Sequence, residues 1–227
     1  MDNYFVVSSR KEKNRSIIHQ VDQGNGNIQI FNYSSIKGGL SWPTAASPAY
    51  YCIWGETFLE HIDTRSNNRS RGKLVLFAEK EFVAFSLKEF FLKLTDDTSL
   101  YLCEDVYTDL NEEFSGYEES FRNYADKVKI KSGSLQQAPY SDNFLLGLSF
   151  IKDWHKSNSL DLPKDSILYR QLKKINVADL EDSPETKFYA INAFRYAIAA
   201  FEKYQTSHYI HSLKRRSNPG ADSWMGR

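Results

Sequence analysis

The sequence predicts an α/β (or α+β) fold: a mixed β-sheet in the N-terminal half with flanking helices, then an all-helical C-terminal third. Three observations predict it. Short runs of β-branched and aromatic residues, separated by Gly/Asn-rich turns, fill most of the first hundred residues. From residue 86 the apolar period lengthens to three or four. Beyond Pro139 every apolar stripe has helical spacing.

The elements follow in order. Residues 4–9 and 16–21 read as strands of a hairpin around the basic turn of Arg10, Lys11, Lys13 and Arg15. The Gly/Asn density of 22–27 marks a second turn, and 28–33 alternates as a third strand. Residues 34–48, with Gly38, Gly39, Pro43 and Pro48, read as an irregular loop. Residues 50–54 form a buried strand or turn, 63–73 a polar loop, and 74–78 a further strand. Ser86 stands as the cap of a helix whose inner face uses Leu87, Phe90, Phe91 and Leu94, with Asp96 and Asp97 ending it. Residues 100–103 are the next strand, expected to lie parallel to a neighbour across that helix. Asn111 caps a helix carrying Phe114, Tyr117, Phe121 and Tyr124, and 127–131 is a short last strand. Helices follow over 141–155, 167–175 and 184–204. The last starts at Ser183-Pro184-Glu185 and carries the stripe Phe188, Ile191, Phe194, Ile198 and Phe201. One domain therefore spans 1–204, and 205–227 reads as a basic flexible tail.

Composition narrows the function classes. The 227 residues include 41% hydrophobic and 15% aromatic side chains, enough for a substantial core. Twenty-nine basic residues balance twenty-nine acidic ones, so no net field steers the protein towards nucleic acid or an acidic membrane. No apolar run approaches the ~20 residues that span a bilayer. Cys52 and Cys103 sit in apolar runs as buried thiols, and with no signal-peptide pattern at the start they predict a reducing, cytoplasmic compartment.

Charge is segregated. Nothing basic occurs from Leu94 to Phe121, whereas Glu104 and Asp105 stand side by side after an apolar run, with Asp109 beyond. Carboxylates at a strand end suit Mg²⁺ or Mn²⁺. Glu112, Glu113, Glu118 and Glu119 read as the solvated face of the following helix. Basic residues concentrate at 10–15, at Arg65, Arg69, Arg71 and Lys73, and at Lys214, Arg215 and Arg216, where a folded stripe would hold phosphates. The five histidines lack metal-ligand spacing, and nucleophile-elbow and nucleotide-loop motifs are absent. Trp224, in the basic tail, is suited to docking on a protein partner.

The order of elements, together with the run Tyr189-Ala-Ile-Asn-Ala-Phe-Arg-Tyr-Ala-Ile-Ala-Ala-Phe201, resembles the RNase H-like nuclease domain of phage terminase large subunits, whose closing helix often carries an Asp-Ala-Leu-Arg-Tyr-Ala type of run. The resemblance implies RNase H-like topology and Mg or Mn held by acids on the first strand, after the fourth and near the final helix. Glu104 or Asp105 fits the second place. Ser8 and Ser9 stand where the first is expected, Asn192 occupies the third, and Asp22 and Asp182 are distant substitutes. Two-metal hydrolysis needs several carboxylates around ions ~4 Å apart, so the departures bear directly on activity.

The expectation is a phage or mobile-element DNA-handling protein. As an enzyme it would use Glu104, Asp105 and Asp182 with Mg or Mn to hydrolyse phosphodiesters or serve DNA packaging. Without catalysis it would bind DNA or an assembly partner through its basic loops and tail. The alternative is a structural or interaction protein: a virion component, adaptor or immunity factor.

Overall fold

Antiparallel ladders open the chain. β1 (Phe5–Lys11) pairs with β2 (Ile17–Asp22), and β2 pairs with the first half of β3 (Ile28–Ser41). The second half of β3 pairs antiparallel with β4 (Ala49–Thr57), which pairs with β5 (Leu74–Phe82). A computed structural model describes residues 5–12, 17–22, 28–57, 72–83, 86–128, 133–175 and 187–216.

Helix α1 (Leu87–Tyr101) crosses back over the sheet to β6 (Asp105–Thr108), which lies parallel to β3. A 3₁₀ turn at Glu112–Phe114 and α2 (Ser115–Val128) lead to β7 (Ser134–Gln137), parallel to β6. Around the molecule's centre the strand order is therefore β5-β4-β3-β6-β7, with β2 and β1 extending from the first half of β3. Three helical elements close the chain: α3 (Phe144–Lys156), α4 (Ile167–Lys174) and α5 (Tyr189–Arg216). Between α3 and α4 the two-residue β8 (Leu160–Asp161) adds to β5 in parallel. Antiparallel strands, then two parallel strands each entered through a helix, then a closing helix: this is the α/β RNase H-like arrangement that the resemblance implies.

Alternation along β4 divides the core. Tyr50, Cys52 and Trp54 face α3, α4 and α5, where the Trp54 ring stacks on Phe194 at 4.3 Å. Ala49, Tyr51 and Ile53 face the other way, onto Phe90, Phe91 and Leu94 of α1 and Phe121 of α2. The expected α1 stripe is buried at Phe90, Phe91 and Leu94, and in the second stripe Phe121 is buried while Phe114, Tyr117 and Tyr124 pack half-buried against the same core.

Several sequence expectations are corrected. Residues 34–41 are not a loop but the second half of β3. Gly38 and Gly39 are needed because a Cβ on Gly38 would meet a Val106 methyl at 2.9 Å, and one on Gly39 the Ala193 carbonyl oxygen at 1.8 Å. Asp96 and Asp97 do not end α1; Asp97 accepts from the Tyr51 hydroxyl at 2.6 Å and pairs with Lys93 at 3.1 Å. Residues 100–103 are consequently the end of that helix and its left-handed cap at Leu102 (φ 57°), not a strand. Glu104 and Asp105 therefore stand at the amino end of β6, not at the carboxyl end of the strand before it. The last parallel strand is β7, not 127–131, because α2 continues to Val128. At the other end, the closing helix runs past Tyr204 to Arg216, into the predicted tail.

No described helix is long and apolar enough to cross a membrane.

Candidate functional site: the β3–β6 junction beneath α5

The site is created by a parallel register. Lys37 of β3 lies opposite Asp105 of β6, Gly38 opposite Val106, and Gly39 opposite Tyr107. Val106 belongs to the α1 side of the core, so alternation turns Asp105 and Tyr107 to the α5 side. Gly39 lets α5 lie directly on the strand pair, its backbone against Ala193.

Lys37 is the side chain the sequence reading did not single out. It is only 5% exposed. Its ammonium donates to the Tyr107 hydroxyl at 3.5 Å and sits 5.2 Å from the Tyr107 ring centre and 5.7 Å from that of Phe201 on α5. Burial lowers its pKa, and the charge of Asp105, with smaller contributions from Cys103 and Glu56, pulls the other way. The available signal was Ile36-Lys-Gly-Gly-Leu40, a lysine beside two glycines inside an apolar run.

The two predicted acids diverge. Asp105 accepts from the Ser134 hydroxyl of β7 at 3.0 Å, on the Lys37 side. Glu104 is exposed and pairs with Lys11 of β1 at 2.7 Å. Cys103, just before them, is fully buried, and burial pushes its thiol well up. Asp182 lies outside the described residues, as do Arg65, Arg69 and Arg71. Lys73 is exposed just before β5, its backbone tied to Thr57 by two bonds of 2.9 Å. Lys214, Arg215 and Arg216 form the last residues of α5.

On α5 the position at which the resemblance implies an acid is Asn192, buried, its carbonyl oxygen accepting from Arg195 Nε at 3.0 Å. Arg195 is itself buried. Its guanidinium lies over the rings of Tyr196 and Phe144 at 4.6 and 5.2 Å, and Gly147 of α3 packs against its stem. This pair joins α5 to α3.

A divalent ion wants several oxygen donors converging on one point. Among the described residues no group of three or more His, Cys, Asp or Glu side chains comes together. At the β3–β6 junction Asp105 lies in register with Lys37 and Glu56 also acts on that ammonium, and the described residues there do not gather the acids that the implied metal needs.

No family model matches the chain, and no curated protein matches it. Among solved structures, the chain is similar to the zinc-bound large terminase nuclease of the thermophilic phage G20c, at a TM-score of 0.47 and 9% identity over 84% of this chain and 92% of that one. It is similar also to the manganese-bound large terminase nuclease domain of bacteriophage SPP1 (TM-score 0.46, 17% identity, 73% and 85% covered). A third likeness is to the fowlpox virus Holliday junction resolvase (TM-score 0.37, 12% identity, 74% and 99% covered).

Proposed function

We propose that this is a DNA-handling protein of phage or mobile-element type that uses an RNase H-like core to bind DNA without cutting it. The observation that carries the reading is the junction itself. The topology and the closing-helix run of the resemblance meet there, with the buried Lys37 in register with Asp105 and with Asn192 at the place where the resemblance implies an acid. Glu104 is engaged with Lys11 and turned away from Asp105, which weighs against a shared role in phosphodiester hydrolysis. DNA contact is assigned to the basic groups that the sequence segregates from the acidic stretch: Arg65, Arg69, Arg71 and Lys73 before β5, and Lys214, Arg215 and Arg216 at the end of α5.

Binding of labelled duplex DNA, measured by fluorescence anisotropy across a salt series, tests this. Each phosphate contact contributes about 0.9 to the slope of log K against log salt. Replacing Arg65, Arg69 and Arg71 by Ala, or Lys214, Arg215 and Arg216 by Ala, is expected to weaken binding and lower that slope by about 2 to 3. Incubation with Mg²⁺ or Mn²⁺ is expected to leave the DNA intact. Cleavage that disappears in a Glu104→Ala plus Asp105→Ala variant would establish the hydrolytic reading instead. Absence of DNA binding at low salt would favour the interaction-protein alternative.

A further inference from the structure

We propose that the outward face of α4, carrying Arg170, Lys173 and Lys174, is a docking surface for the phosphate backbone of DNA. The inference deepens the DNA-binding reading above and rests on it, adding a contact surface apart from the basic clusters assigned there.

Folding sorts charge across the sheet. On the side of α3 and α4, residues 144–174 carry six basic side chains against three acidic ones. On the opposite side, residues 112–128 carry five acidic against two basic. A chain with no net charge thus presents one side that attracts a polyanion and one that repels it. On the attractive side the charge is densest on α4. Leu168 and Gln171 are its buried residues, and Arg170, Lys173 and Lys174 are all exposed. Helix residues three and four apart stand about 5–6 Å from one another, so the three cations form one cluster.

The helix that carries them is firmly held. Glu79 of β5 accepts from the Ile167 and Leu168 amides at 2.8 and 3.4 Å, and Ser166 Oγ accepts from Tyr169 N at 3.0 Å. Gln171 Oε1 accepts from Ala190 N and Ile191 N of α5 at 2.9 and 3.3 Å. None of these ties uses the three cations. Lys173 lies over the Tyr169 ring at 4.7 Å. Arg170 acts through space on the Tyr189 hydroxyl, which burial and Glu81 keep protonated at a pKa of about 12. Among the described residues the ion pairs are those of Arg10, Lys11, Lys93 and Arg122, none of them on α4. The helix dipole accounts for lysines in a last turn, and not for Arg170 in mid-helix.

An acidic protein is the competing polyanion. Protein interfaces centre on apolar and aromatic anchors and are poor in lysine. Among the described residues the exposed large apolar side chains are Val83, Leu92, Leu100, Tyr140 and Leu145, none of them on α4. Phosphate contacts need placed positive charge and no such anchor, which favours DNA.

Duplex DNA binding by the full chain, together with lysine acetylation read by mass spectrometry, tests the surface. Arg170→Gln plus Lys173→Gln plus Lys174→Gln should weaken binding about tenfold or more at low salt and lower the slope of log K against log salt by about 2 to 3. Lys88→Gln plus Lys127→Gln, exposed on the other side of the sheet, should leave both nearly unchanged. Lys173→Arg plus Lys174→Arg should bind as wild type does. DNA should slow acetylation of Lys173 and Lys174 and spare Lys88 and Lys127. The proposal is overturned if the triple variant binds like wild type, or if the Lys88 and Lys127 variant is weakened as much. It is overturned equally if DNA leaves Lys173 and Lys174 as reactive as before, or if polyglutamate protects them and DNA does not. Should the triple variant fail to fold, acetylation of the wild-type protein decides alone. The two readings fail in different ways. Wild-type protein that ignores DNA at low salt removes both, whereas DNA binding indifferent to α4 removes this surface and leaves the DNA reading standing.

Discussion

At the scale of single residues, the site depends on how little room two glycines leave. A Cβ on Gly39 would lie 1.8 Å from a backbone oxygen of α5, and backbone cannot rotate away. One on Gly38 would meet a valine methyl at 2.9 Å, which a small shift relieves. Gly39→Ala is therefore expected to lift α5 and cost about 3 kcal/mol or more, whereas Gly38→Ala should cost about 1 kcal/mol. Val106→Ala should rescue the second substitution and not the first. Denaturant midpoints of the four proteins check this. The same two residues explain why the junction was hidden in the sequence. Glycine pairs ordinarily mark turns, because a sequence shows their backbone freedom and not the neighbour that forbids a side chain. Lys37 lies in the same stretch, so a loop reading hides it too.

At the scale of elements, what was legible had a local cause. The α1 and α2 stripes follow from spacing alone, and Asn111 caps the turn before α2 as predicted, its carbonyl oxygen accepting from Phe114 N at 3.2 Å. What was not legible had a distant cause. Asp97 reads as a helix stop until Tyr51 of β4 is placed beside it, and one extra helical turn then shifts the acidic pair from the end of one strand to the start of the next. The hairpin of β1 and β2 carries a pH dependence of its own. His19 of β2 is buried among Phe77, Tyr33 and Tyr101 at ring distances of 4.9, 5.1 and 5.8 Å, with Nε2 3.2 Å from the Tyr101 carbonyl oxygen. Burial lowers its pKa, against a weaker opposing pull from that carbonyl. A base whose pKa is lower in the folded than in the unfolded state loses stability on acidification. Its contribution is complete above the ordinary value of 6.5 and declines as pH falls below it, towards the lower folded value. Chemical denaturation at pH 8 and pH 5 should show a larger acid-induced loss for wild-type protein than for a His19→Gln variant.

At the scale of the whole molecule, α5 is the common wall. Residues 190–201 are buried without interruption, between β3, β4 and β6 on one side and α3 and α4 on the other. Glu202, held by the Trp154 indole at 2.7 Å, follows directly on this stretch. Ending the chain after Tyr204 is accordingly expected to shift the thermal midpoint by no more than about 3 °C, since the buried stretch and the Glu202–Trp154 bond are kept. Amide exchange should be slowest in residues 190–201 and in β4, which carry the densest burial on both faces.

That wall is made after every strand it covers. Gly39 and the Ala193 carbonyl it accommodates are separated by 154 positions (193 − 39), so the groove beside β3 stays open while the residues between them leave the ribosome. Closing so long a loop is entropically costly and slow. Nascent chains short of residue 201 would expose an apolar trough one helix wide, making them the form of this protein most in need of a chaperone.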